Sequence, residues 1–118
     1  MTQHMETGKT GEELAEAWLI QKGFEIMERN WRFSHYEIDI IAMKKGIPHF
    51  VEVKTRSSYR FGPPENKVKN KKIKDLLKAA AEYMYRHRQF KNFHIDILSI
   101  NIQKNGEAEY FFIEDVYL

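Results

Sequence analysis

The chain has 118 residues, enough for one layered hydrophobic core and too few for two. An apolar fraction of 42%, with 8 Phe, 6 Tyr and 2 Trp, excludes a disordered chain, and the absence of Cys excludes disulfides and thiolate metal sites. The net charge of +2 hides an asymmetry: residues 54–91 carry 12 Lys/Arg against three acids, and the other 80 residues carry 7 against 14.

A basic half joined to an acidic half points to a polyanion partner for the first and a separate task for the second, although a solvated basic helix would give the same count. The polar start "MTQHMETGKT" does not read as a signal peptide, and no apolar run reaches the length of a membrane span. A single domain over 1–118, with residues 1–7 as a flexible tail, is therefore expected. The missing cysteines fit a cytoplasmic location, and the short apolar runs fit no membrane partner.

In chain order, residues 8–22 read as a helix, because Gly11, Leu14, Ala15, Trp18 and Leu19 fall on one stripe and Gly23 supplies a stop. Strands are expected at 24–33, 36–43 and 47–54, with Lys45-Gly46 in the turn between the last two. Residues 55–67 form a polar loop around Gly62-Pro63-Pro64. A long helix at about 68–88 follows, with Ile73, Leu76, Leu77, Ala80, Tyr83 and Met84 on its apolar face. Strands at 93–100 and 107–116, joined around Asn105-Gly106, complete the order α-β-β-β-α-β-β. The class is α/β (α+β), a sheet with helices packed against it.

The second and third strands carry the informative charges. Alternation puts Glu37, Asp39 and Ile41 on one face of "YEIDIIAM" and Tyr36, Ile38, Ile40 and Ala42 on the other. In "HFVEVK" it puts Phe50, Glu52 and Lys54 together. If Lys45-Gly46 is a two-residue hairpin loop, Asp39 lies opposite Glu52 and Glu37 opposite Lys54. Two facing carboxylates repel unless a cation joins them, and oxygen ligands of this type suit Mg²⁺ or Mn²⁺. The bland alternative is a surface ladder, with Glu37 paired to Lys54 and Asp39 to a nearby base. On the first helix, Glu12 borders the apolar stripe and can reach over the sheet, whereas Glu13 and Glu16 are expected in solvent.

These residues resemble a known pattern. Asp39, a gap of twelve residues, then Glu52-Val53-Lys54 is similar to the PD-(D/E)xK nuclease signature, and "GKTGEE" is similar to the start of archaeal Holliday-junction resolvases. Nearly the whole chain resembles the YraN-type (UPF0102) bacterial family of predicted endonucleases. The matching stretches are "GEELAEAWL", "ERNWR", "EIDIIA", "FVEVKTR", "FG", and Lys72 followed by "AAAEYM". The resemblance implies a restriction-endonuclease-like core, a mixed central sheet flanked by helices. It implies Asp39 and Glu52 as metal ligands with the Val53 carbonyl completing the set, Lys54 beside the attacking water, and Glu12 as an auxiliary acid. Glu37 also matches a family position. Where the family usually shows Arg-Phe-Asp, this chain has His94-Ile95-Asp96, so a phosphate contact there requires a protonated histidine.

Such a site would be a metal-dependent endonuclease on DNA, selective for branched or junction structures because the chain has no room for a sequence-reading module. A homodimer is the assembly that branched substrates would suit, and RNA stays open as a substrate. The alternative is a non-catalytic nucleic-acid-binding or scaffold protein that keeps the fold. On the basic helix, Lys67, Lys71, Lys74 and Lys78 form one series for phosphate contacts, together with Lys72. Arg56 and Arg60 would extend the basic rim, with Tyr59 and Phe61 as base-stacking candidates.

Overall fold

A computed structural model describes residues 7–57 and 70–116, with side chains from Gly11 to Ser57 and from Lys72 onward. The elements are α1 (Thr7–Gln21), β1 (Glu25–Phe33), β2 (Tyr36–Lys44), β3 (Ile47–Arg56), α2 (Asn70–Arg86), β4 (His94–Ile102) and β5 (Ala108–Ile113). The order α-β-β-β-α-β-β is the one the sequence leads one to expect. The five strands form one mixed sheet in the order β1-β2-β3-β4-β5. Every neighbouring pair is antiparallel except β3 and β4, which run parallel and are joined by the α2 crossover.

Both faces of the sheet are covered. Under α1, Ala15 and Leu19 pack with Phe24, Ile40, Ala42, Val51, Leu98 and Ile100. Under α2, Leu76, Ala79, Ala80 and Tyr83 pack with Ile38, Ile41, Phe50 and Ile95. Burial on two faces explains why β4 is buried at every position from Ile95 to Asn101, with no polar alternation. No described helix is long and apolar enough to cross a membrane.

Local chemistry sets the boundaries. Helix α1 stops at Gly23, whose φ of 96° only a residue without a Cβ adopts freely; Phe24 N–H then bonds Leu19 C=O at 2.9 Å and Gly23 N–H bonds Ile20 C=O at 3.0 Å. The β2–β3 turn has Lys45 at φ 52° and Gly46 at φ 76°, the positive pair that a two-residue type I′ loop demands. That turn fixes the expected register: Lys44 pairs with Ile47, Ala42 with His49 and Ile40 with Val51.

Three expectations need correction. First, strand β3 continues to Arg56, because its parallel ladder with β4 extends to Arg56 and Asn101. Second, β5 is confined to Ala108–Ile113: Ile102 pairs with Ala108, so Asn105-Gly106 sits inside a five-residue connection. Third, Tyr36, Ile38, Ile40 and Ala42 do not share one face. Tyr36 and Ile38 pack under α2, whereas Ile40 and Ala42 pack under α1. The change coincides with an unusual backbone state in the neighbouring strand. Asn30 has a left-handed φ of 53°, and it sits between the paired residues Arg29 and Trp31, across from the interval that Asp39 occupies. The apolar side chains change faces across that point, and Asp39 sits at the change.

Candidate active site

Asp39 stands where the β2–β3 ladder ends. The described pairing stops at Ile40 and Val51, and just past that pair the Val53 N–H donates to Asp39 Oδ2 at 2.8 Å. A side-chain oxygen thus takes a donor that a continuing strand pair would have claimed, and it fixes the carboxylate against β3. Burial first and the Glu52 carboxylate second push the Asp39 carboxyl from 3.8 up to about 7. The Val53 N–H pulls the other way, Glu12 adds to the rise, and Lys72 opposes it.

Glu52 is the buried partner, at 7% exposure. Its Oε2 lies 3.4 Å from Lys72 Nζ on α2. Its Oε1 is buried and accepts no hydrogen bond from any described residue. A buried carboxylate oxygen with no donor is costly, and a second carboxylate beside it raises that cost. A divalent cation held by oxygens satisfies both groups together, so the donor set fits Mg²⁺ or Mn²⁺.

Helix α1 brings the third acid. Glu12 Oε1 lies 3.4 Å from Arg29 Nη2, and Glu16 Oε1 lies 3.3 Å from Arg29 Nη1. Glu16 is therefore paired, not left in solvent as expected, while Glu13 is exposed. The approach of α1 depends on Gly11. A Cβ there would stand 2.1 Å from Thr55 Oγ1 and 3.1 Å from Thr55 Cβ, so the helix crosses β3 at a distance that only a glycine permits.

The other expected residues are distributed as follows. Glu37 faces Arg32 across β1–β2, with an ion pair of 3.5 Å, and its expected pairing with Lys54 falls beyond the described β2–β3 ladder. Lys54 is exposed on the strand that carries Glu52. Arg56 is half-buried and donates from Nε to Asn101 Oδ1 at 3.1 Å, which ties it to β4. Lys74 is exposed, and Lys78 Nζ reaches Tyr36 Oη at 3.4 Å and lies over the same ring at 5.5 Å. Arg60, Lys67, Tyr59, Phe61 and Gly62-Pro63-Pro64 lie outside the described residues, as does the side chain of Lys71.

Two relationships are not expected from the sequence. Lys72, expected among the phosphate-binding lysines, stands against Glu52. Its place just before Ile73, at the head of the apolar stripe, was the available signal. The contact of His49 with Asp96 carried no signal at all, since it depends on the parallel register of β3 and β4.

The profile of the uncharacterised protein family UPF0102 matches residues 11–100, which hold Glu12, Asp39, Glu52, Lys54 and Lys72. The chain belongs to that family. A UPF0102 protein of Flavobacterium johnsoniae is 46% identical over 112 residues, covering 92% of this chain and 89% of that protein. A UPF0102 protein of Flavobacterium psychrophilum is 42% identical over 118 residues, covering 99% and 98%. One from Bacteroides thetaiotaomicron is 39% identical over 117 residues, covering 99% and 96%. Among solved structures, Pyrococcus furiosus SfsA in complex with Ca²⁺ is similar at a TM-score of 0.40 and 20% identity, covering 92% of this chain and 62% of that one. A likeness of that size carries no argument about this UPF0102 member.

Proposed function

We propose that this UPF0102 protein is a metal-dependent endonuclease that hydrolyses phosphodiester bonds in DNA, with branched or junction DNA as its preferred substrate. The observation that carries the reading is the Asp39–Glu52 pair: two adjoining carboxylates, one raised to about 7 and the other with a buried oxygen that no described donor satisfies. Catalytic sites are built from such groups.

Asp39 and Glu52 would hold Mg²⁺ or Mn²⁺, with the Val53 carbonyl as a further ligand. When bound, the ion lowers the pKa of a water and draws charge from the phosphoryl oxygens. The chain supplies the rest. Val53 N–H holds Asp39 in position before substrate arrives, so no reorganisation is needed at the moment of reaction. Lys72 sets a fixed positive charge beside Glu52. Lys54 reaches solvent from the same strand and would orient the attacking water or neutralise the scissile phosphate. Glu12, fixed by Arg29, is the auxiliary acid on the α1 side. Lys74 and Lys78 on α2 would track the phosphate backbone and give salt-dependent affinity without sequence preference. A homodimer would place two such sites on opposite arms of a junction.

The test is cleavage of end-labelled four-way junction, flap and linear duplex DNA in Mg²⁺ or Mn²⁺. Cleavage that disappears in Asp39→Ala, Glu52→Ala and Lys54→Ala supports the reading. Binding without cleavage on every substrate and metal contradicts it and favours a nucleic-acid-binding protein that kept the fold.

A further inference from the structure

A second group of ionisable side chains sits at the other end of β3, on the face that α1 covers. His49 and His94 are register partners in the parallel β3–β4 pair, and their rings stack with centroids 4.4 Å apart and planes 20° from parallel. Each ring meets a carboxylate through Nδ1: His49 meets Asp96 Oδ2 at 2.6 Å, and His94 meets Asp115 Oδ1 at 2.5 Å. Asp96 is wholly buried and also accepts the Asp115 N–H at 3.0 Å through Oδ1. The edge of the Phe24 ring closes over His49 with centroids 5.0 Å apart. None of these groups belongs to the Asp39–Glu52 site.

Two imidazoles and two carboxylates converge here, and one of the carboxylates, Asp96, is wholly buried. A buried carboxylate needs a countercharge, and a divalent ion held by both rings and Asp96 supplies it. The donor atoms also distinguish this group from the all-oxygen pair at Asp39. Imidazole nitrogen with one carboxylate suits Zn²⁺ and ions like it, and suits Mg²⁺ poorly.

Distances agree with that class of ion. A tetrahedral zinc centre sets neighbouring donors about 3.3 Å apart. One donor atom from each of His49, His94 and Asp96 can be chosen so that all lie within 4.8 Å of one another, and the closest contact is 2.6 Å. Those spacings bracket the required value, and changes in separation of up to about 1.5 Å reach it. Asp115 would steady His94 from outside, as carboxylates behind metal-bound histidines do.

We propose that His49, His94 and Asp96 form a binding site for a zinc-class divalent ion, with Asp115 positioning His94. The site clasps the N-terminal ends of β3 and β4. It also secures the segment after β5, where Asp115 N–H reaches Asp96 and Val116 N–H reaches Ile95 C=O at 2.9 Å. Its role is structural, and it stands whether or not the nuclease reading does.

The test is titration of the full chain with Co²⁺, read by visible absorption, and with Zn²⁺, read by calorimetry in two buffers. The same titrations are run on an Asp39→Asn/Glu52→Gln double variant and on His94→Asn. In the double variant one ion per chain is expected, with a four-coordinate cobalt spectrum, release of protons on binding, and the affinity that the histidine site has in the unmodified chain. His94→Asn is expected to weaken binding about tenfold or more, and Asp115→Asn, which leaves the three ligands intact, to weaken it less. Absence of saturable binding by the unmodified chain overturns the proposal. So does binding that survives His94→Asn unchanged or that vanishes in the double variant.

Discussion

The Asp39 carboxylate accepts the Val53 N–H at 2.8 Å, just past the last described pair of the β2–β3 ladder, Ile40 and Val51. This bond spends a backbone donor of β3 on a side chain of β2 and holds an acid beside Glu52, whose charge opposes it. An arrangement that costs stability in the absence of a ligand is the expected mark of a site shaped for one.

The raised Asp39 carboxyl gives a pH dependence of defined sign. Between about pH 4 and pH 7 the folded chain holds a proton at Asp39 that the unfolded chain has already lost. The folded state then binds more protons, so this group makes stability fall as pH rises through that window, by about 2–4 kcal/mol, and level off above it. Urea denaturation with EDTA present, in steps from pH 4.5 to 8.5, measures this. The difference between the unmodified chain and Asp39→Asn should carry that slope, and parallel curves would show an ordinary Asp39.

Lys72 and Lys74 are two residues apart on α2 and should separate in function. Lys72 lies against Glu52 and helps to hold down the Asp39 carboxyl, whereas Lys74 is exposed. Lys72→Met should shift the Asp39 titration to higher pH, followed by carboxyl carbon resonances, and should lower any cleavage rate. Lys74→Met should leave that titration unchanged and reduce the salt slope of DNA binding by about one, followed by fluorescence anisotropy.

Gly11 sets how closely α1 crosses β3. Gly11→Ala gains about 1 kcal/mol of helix propensity but drives a methyl group into Thr55, where crowding of a packed contact costs about 1–3 kcal/mol. A net loss of stability is expected, and Gly11→Ala/Thr55→Ala, which removes the hydroxyl at 2.1 Å, should recover less than the full loss because the Cβ at 3.1 Å still crowds the site. Thermal denaturation of the three chains decides this. Glu12 is the next residue, so the shift should also loosen its contact with Arg29.

Asn30 turns the β1 strand over. At φ 53° a β-branched residue is strained by about 1–2 kcal/mol, so Asn30→Val should destabilise by that amount while Asn30→Gly stays within a few tenths. Because Asp39 sits across from this point, Asn30→Val should also weaken Mn²⁺ binding, measured by calorimetry, where Asn30→Gly does not.

The sequence revealed the element order, the Lys45-Gly46 turn and the register it sets, because hydrophobic period and loop length act locally. Asp39 and Glu52 were legible for the same reason. What stayed hidden depended on particular backbone states and on long-range contacts. Strict alternation places Ile38 and Ile40 together, but the apolar side chains change faces at Asp39, across from the left-handed Asn30. Lys72 read as one lysine among several, since only the packed position of α2 puts it over Glu52. The His49–His94 stack needed the parallel register of β3 and β4, which a helix of 17 residues interrupts in sequence.

The central claim, that Asp39 and Glu52 together hold a divalent cation, is tested most directly by anomalous diffraction from crystals grown with Mn²⁺. The account predicts one peak at about 2.1–2.2 Å from an oxygen of each carboxylate, with Glu52 Oε1 among the ligands. The peak should vanish in Glu52→Gln and persist in His94→Asn. No peak between the two carboxylates, with Glu52 Oε1 satisfied by a donor of the chain, would contradict it.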